Sequence, residues 1–448
     1  MTLFARSAAA VLLAAILCSP GYAQVAAVPK AQGAGAAPVI VEPALDGVFR
    51  AFGNKPVVAL GDPHGLAEQM DFYAAVVRDP RFARDVRNVV VEFGASSRQE
   101  VIDRYVAGET IPYVELRKVW NDTIGWAPPP SLVGFVKFFA AVRDVNKSLP
   151  PHRRIKVWLG EPPLDWTAPS RDQIMAAMRA RDTYPAALIR DRILAKGGKA
   201  LVIYGAGHLA GGPMLKGLLD ATNPGAMFVI MPYAPPLEYP ACAPLLPRLA
   251  AIWPKPALAT RGRGEAGAGL DKCFALSPPM RGPGPGGPGP RGPGPGGPGP
   301  GGPGPGRGGP GPGPGAPGPG GSGPGPGAGG PGPTGAPPPP LEGDALLFLA
   351  PLEKLAQGPQ GPVEQFARGR FLPDYLFDPE LRREVSRRNS LGGPPLLPTP
   401  PGLAIRKADF AFDLEAPGFR ELIEKIFATY DRNRDGVITS DENHDPLD

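Results

Sequence analysis

The sequence predicts an α/β fold: a mainly parallel sheet flanked by helices, with a long disordered Gly/Pro insertion and a small helical segment at the C-terminus. Three observations predict it. Short, uniformly apolar runs alternate with amphipathic stretches over the first 235 residues. Residues 278–340 are almost pure Gly and Pro. An amphipathic run near the C-terminus leads directly into an acidic twelve-residue loop.

The chain opens like an export signal. Arg6 gives a positive start, Ala8 to Leu17 is an apolar run, and Gly21-Tyr22-Ala23 offers small residues before a cut at Gln24. The apolar run is shorter than the roughly 20 residues a membrane span needs, so no stable membrane anchor is expected. Cys18 follows Ile16-Leu17, with no small residue beside it to mark a lipid-attachment site. The expected location is periplasmic or secreted, with residues 1–23 as signal peptide and 24–43 as a flexible leader.

An α/β domain is expected over 44–277. Its strands read as Val57–Leu60, Asn88–Phe93, Ile155–Leu159, Ala200–Tyr204 and Met227–Met231. Amphipathic stretches lie near 66–78, 96–107, 131–147 and 171–196. Strands apolar on both sides belong to a sheet covered on both faces, and strict strand–helix alternation makes that sheet mainly parallel. Residues 278–340 cannot bury apolar surface, so disorder is expected there. The run Gly282-Pro283-Gly284-Pro285-Gly286-Gly287 breaks the every-third-residue Gly rule and excludes a collagen helix. Asp344 to Ala350 then reads as a further buried strand. Since a lone strand is unstable, residues 341–355 are expected to return to the first sheet, which makes the Gly/Pro tract an insertion. Residues 356–410 read as a connector and 411–448 as the C-terminal segment.

A net charge of +5 with scattered Lys and Arg gives no basis for nucleic-acid binding. Two cysteines remain after the signal, Cys242 and Cys273. An even count in an oxidising compartment is compatible with a disulfide, and two buried thiols are the alternative.

The C-terminal loop runs from Asp431 to Glu442. Calcium takes six to eight hard oxygens. Asp431, Asn433 and Asp435 offer three side-chain ligands, Val437 a carbonyl, Thr439 a direct or water-mediated oxygen, and Glu442 two oxygens. Gly436 permits the turn between them. This is the EF-hand loop pattern. Phe419, Leu422, Ile423, Ile426, Phe427 and Tyr430 form one face of an entering helix, and Ile438 is placed to bridge to a second hand. Only six residues follow Glu442, Pro446 among them, so a full exiting helix is not expected. The expected ion is calcium, with an affinity on the order of 0.1–1 mM and a partner surface for the unpaired hand.

Two of the four histidines follow strands, in Gly61-Asp62-Pro63-His64-Gly65 and Gly205-Ala206-Gly207-His208. Two more strands end at Glu92 and Glu161. Ligands of open α/β sheets bind beyond the carboxyl ends of the strands, so these groups should share one crevice. The set suits acid–base hydrolysis with His64, Glu92 and His208. It also suits a divalent transition metal held by His64 and His208. His152 and His444 read as an exposed loop residue and a tail residue.

These segments resemble the erythromycin-esterase, haem-uptake and Tiki-protease superfamily. The resemblance rests on the Asp62–His64 segment, Glu92 and the His208 segment. Ile102 to Glu109, Arg143 with Asn146, Lys156 to Gly160 and the strand at Asp344–Ala350 are similar to the erythromycin-esterase-like branch. The resemblance implies His64 as general base on water, with Glu92 and His208 completing the site. It assigns no role to Glu161. Asp62 replaces the usual Glu, the turn is one residue shorter, and the Glu161–His208 span lacks the extra helices that shape the esterase pocket. The expected function is hydrolysis of an ester or amide bond in a small molecule or peptide, or alternatively non-catalytic binding of a metal or haem-like ligand. A third reading is an envelope interaction protein with an inactive α/β domain.

Overall fold

The structure is a computed structural model. It describes residues 38–63, 66–124, 133–233, 240–262, 270–276, 341–355, 377–391, 404–439 and 441–442. Signal residues 1–23, the Gly/Pro tract 278–340, His64 and His444 lie outside them.

Eight strands form the central sheet. They are β1 (Ile40–Pro43), β2 (Val57–Asp62), β3 (Arg87–Ala95), β4 (Lys156–Glu161), β5 (Lys199–Gly205), β6 (Met227–Pro232), β7 (Ala257–Thr260) and β10 (Ala345–Phe348). Between the last two comes a small ribbon of β8 (Ala275–Leu276) and β9 (Leu341–Glu342). The strand order across the sheet is β1-β7-β10-β6-β2-β5-β3-β4. Pairings from β10 through β4 are parallel, and β7 runs against both its neighbours. The fold class is therefore α/β, with a mainly parallel sheet flanked by helices. Among the described residues, no helix is long and apolar enough to cross a membrane.

The central strands explain themselves. Every residue of β2 is buried, as a strand covered on both faces requires. One face packs under helices Ala44–Asn54, Ala67–Arg78, Gln99–Val106 and Val133–Lys147. The other packs under residues 183–196 and helix Leu215–Thr222. The chain leaves β3 toward the first face and β5 toward the second. Because β3 and β5 are neighbours, their carboxyl ends form a topological switch point, the place where open α/β sheets bind ligands.

β10 lies between β6 and β7, so the chain beyond the Gly/Pro tract supplies an interior strand of this sheet. The flanks of the tract meet in the β8–β9 ribbon, with Ala275 opposite Glu342. Beside it, Cys242 and Cys273 form a disulfide.

Three segments differ from the sequence expectation. Residues 40–43 belong to edge strand β1 rather than to a flexible leader. The stretch 171–196 is not one helix. Helix Arg171–Arg179 stops, and a second begins at Thr183 and tightens through irregular turns. The connector contains helix Pro379–Ser390, capped by Asp378, and strand β11 (Ala404–Arg406). β11 pairs antiparallel with β12 (Val437–Thr439) of the acidic loop.

Candidate functional site

The ladder between β3 and β5 ends at Val91 and Ile203, and β3 is irregular between Val91 and Ala95. Glu92 sits at this irregularity. Its side chain replaces the lost ladder bond: Gly205 N–H donates to Glu92 Oε2 at 2.5 Å. Glu161 ends β4, and the Ile124 amide donates to its Oε2 at 3.3 Å. Gly160 before it has a steric reason. A Cβ there would stand 1.9 Å from Tyr204 Oη, so only glycine leaves room for the ring.

Arg181 bridges the two buried carboxylates. Its Nη2 donates to Glu92 Oε1 at 2.6 Å and its Nε to Glu161 Oε1 at 2.8 Å. His208 completes the cluster. Its Nε2 is 3.3 Å from Glu92 Oε1, and its Nδ1 is 2.7 Å from Asp182 Oδ1. Asp182 is itself fixed by the Leu215 amide at 2.8 Å. Three carboxylates thus meet two cations in one crevice.

This arrangement sets the protonation. Burial alone would lower His208, but the bonds to Asp182 and Glu92 outweigh it and push its pKa up to about 10. The ring is an imidazolium at neutral pH, donating from both nitrogens. Burial pushes the Glu161 carboxyl up, with Arg181 opposing and Glu92 adding to the rise. Burial, with the charges of Glu161 and Glu92, holds the Tyr204 phenol far above its usual range, so it stays protonated.

Asp62 ends β2 and is buried at 4 % exposure. The Tyr73 hydroxyl donates to it, and Gln69 Nε2 donates to the Tyr73 oxygen at 2.7 Å and to the Gly61 carbonyl at 2.6 Å. Burial and the Asp62 charge raise the Tyr73 phenol well above its usual value.

The structure therefore brings Glu92, Glu161 and His208 together at neighbouring strand ends. Asp62 lies at the end of β2, the next strand beyond β5. His64 follows it two residues later, outside the described residues. Sequence reasoning missed Arg181 and Asp182, which occupy the break between two helices. Pro185, inside the first turn of the second helix, was the local sign of that break. His152 is exposed in the short turn Pro151–Arg153. Among the described residues, no group of three or more His, Cys, Asp or Glu side chains is arranged to hold a metal ion.

The acidic loop is a second candidate site. Gly436 has φ +82° and Arg434 has φ +59°, which curl the loop inward. Asp431 accepts from the amides of Asp435 at 3.1 Å and Gly436 at 3.0 Å. Asn433 accepts from Asp435 at 2.9 Å, and Asp435 from Val437 at 2.8 Å. Glu442 reaches back across the loop to the amides of Arg432, Asn433 and Thr439, with the Thr439 hydroxyl at 3.1 Å. These amides hold its carboxyl below the usual range, the Thr439 amide contributing most. The loop thus gathers carboxylate, amide and hydroxyl oxygens, with the Val437 carbonyl on β12.

No protein-family model matches the chain, and no curated protein matches it. Two solved structures are similar. The type III effector HopBA1 is 16 % identical with a TM-score of 0.28, over 43 % of this chain and 86 % of that one. ChaN of Campylobacter jejuni, described with cofacial haem binding, is 14 % identical with a TM-score of 0.30, over 43 % of this chain and 87 % of that one. Neither likeness bears on what this chain binds or does.

Proposed function

We propose that the protein is an exported calcium-binding protein whose α/β domain carries an acid–base site for hydrolysing an ester or amide bond. The calcium reading rests on the donor set of Asp431, Asn433, Asp435, Val437, Thr439 and Glu442. All are hard oxygens of the kind calcium takes, and the side chains of Asp431, Asn433, Asp435 and Glu442 accept from amides of the same loop. The disulfide supports export, since such bonds persist in oxidising compartments.

The observation that carries the hydrolytic reading is the pairing of His208 with Glu92 at the crevice. His64, two residues beyond Asp62, is the general base on water by its resemblance. The His208 imidazolium cannot share that role, because both its nitrogens donate to carboxylates. It orients Glu92 and supplies positive charge where an oxyanion develops. Glu161, held by Arg181 and the Ile124 amide, fixes the guanidinium that also binds Glu92. The second reading, a divalent transition metal held by His64 and His208, requires His208 Nε2 to give up the proton it directs at Glu92 while Nδ1 stays on Asp182.

The test is turnover of a panel of chromogenic esters and anilides by the mature chain. His64→Ala and Glu92→Gln should each lower kcat by about 10²–10⁴-fold. Equal residual rates in both variants and the wild type would overturn the hydrolytic reading.

A further inference from the structure

The acidic loop does not stand apart from the α/β domain. The helix Phe419–Tyr430 that enters it buries Phe419, Ile423, Ile426 and Phe427. These side chains share one apolar cluster with Tyr113 and Tyr105 of the α/β domain. Phe419 packs 5.0 Å from the Tyr113 ring. The Tyr105 hydroxyl donates to the Leu414 carbonyl at 2.7 Å, the Tyr113 amide to Pro417 at 2.9 Å, and Arg143 pairs with Glu415 at 3.1 Å.

The far side of the loop is closed as well. β12 pairs with β11, setting Ile438 opposite Ile405, and both are buried. The bridging position thus has its partner within this chain. Tyr430, the last helical residue, packs 4.5 Å from Phe377, at the start of the segment carrying helix Pro379–Ser390. From that helix Arg388 donates to the buried Asp122 at 2.6 Å. Two residues on, the Ile124 amide holds Glu161. A continuous set of contacts therefore joins the acidic loop to the crevice.

Loop electrostatics give this connection a direction. Asp431 stands at the C-terminal, negative end of its helix. Asp435, Asp441 and Glu442 crowd the same loop, against only Arg432 and Arg434. A bound dication removes that repulsion. It also ties Asp431 at the helix end to Val437 and Thr439 on β12.

We propose that calcium in this loop is a latch. Filling it fastens β12 to β11 and the helix Phe419–Tyr430 to the α/β domain, and through Arg388 and Asp122 it stiffens the segment that holds Glu161. The inference rests on the calcium reading above. It assigns the ion an effect at the crevice, and it gives β11, rather than a second protein, the place beside Ile438.

Hydrogen exchange of the full mature chain, with and without calcium, tests this. Any opening that destroys the loop is suppressed by one plus the ratio of calcium to its dissociation constant. At calcium about ten times that constant, such amides slow about tenfold. The latch predicts tenfold slowing in residues 404–406, 419–430 and 113–124, absent with magnesium and absent in Glu442→Gln. In Arg388→Met, slowing should persist at 419–430 and disappear at 122–124. Slowing confined to 431–442, with calorimetry showing that calcium binds, overturns the latch alone. No calcium binding by calorimetry overturns both the latch and the calcium reading.

Discussion

His208 Nδ1 lies 2.7 Å from Asp182 Oδ1, while its Nε2 faces Glu92 Oε1 at 3.3 Å. The ring is clamped between two carboxylates, one on β3 and one at the start of the helix Thr183–Leu188. The clamp decides the ring's charge, and its charge decides its chemistry. A pKa near 10 makes it a fixed cation over the whole physiological range.

The folded pKa is raised above the unfolded value of about 6.5. The stabilisation it brings is therefore complete below about pH 6.5 and is lost as pH rises through about 10. NMR titration of the His208 ring should show a midpoint near 10, falling in Asp182→Asn. A midpoint near 6.5 in the wild type would show that the clamp is not closed in solution.

Arg181 neutralises two buried carboxylates at once. Arg181→Met leaves both without their shared cation and should destabilise the fold by about 3–5 kcal/mol. Adding Glu161→Gln should recover part of that loss, since one of the stranded charges is removed. Urea unfolding of the two variants measures both effects.

Gly160 and Tyr204 are sterically coupled. Gly160→Ala should cost about 1–3 kcal/mol by overpacking. The Tyr204 hydroxyl is buried with no hydrogen-bond partner among the described residues. Tyr204→Phe should therefore be neutral or slightly stabilising, and it should relieve part of the Gly160→Ala loss, the ring carbon and the Val91 carbonyl remaining close. Thermal melts of the single and double variants form the cycle; strict additivity would contradict the contact.

The Cys242–Cys273 disulfide closes a loop of 31 residues. A loop of that length corresponds to about 3–4 kcal/mol of unfolded-state entropy. Cys242→Ser should lower unfolding stability by about 2–4 kcal/mol, whereas an unchanged denaturation midpoint would contradict the bond's structural weight.

The sequence disclosed what periodicity and strand ends can disclose. All five strands read from apolar runs are present, because a strand buried on both faces has no polar position to blur it. Placing Glu92, Glu161 and His208 together needed only the rule that ligands gather at carboxyl ends of parallel strands. Arg181 and Asp182 were hidden because residues 171–196 keep a helical rhythm across a break that tertiary contacts create. β1, β7 and β11 were hidden for another reason. Segments of three or four residues carry too few alternations to stand out, and the sheet edge or the acidic loop fixes them from outside.

The most direct test of the account is a calcium titration of the mature chain by calorimetry, beside Glu442→Gln. One calcium per chain is expected, with a dissociation constant on the order of 0.1–1 mM and at least tenfold weaker binding in the variant. No binding, or equal binding by the variant, would contradict it.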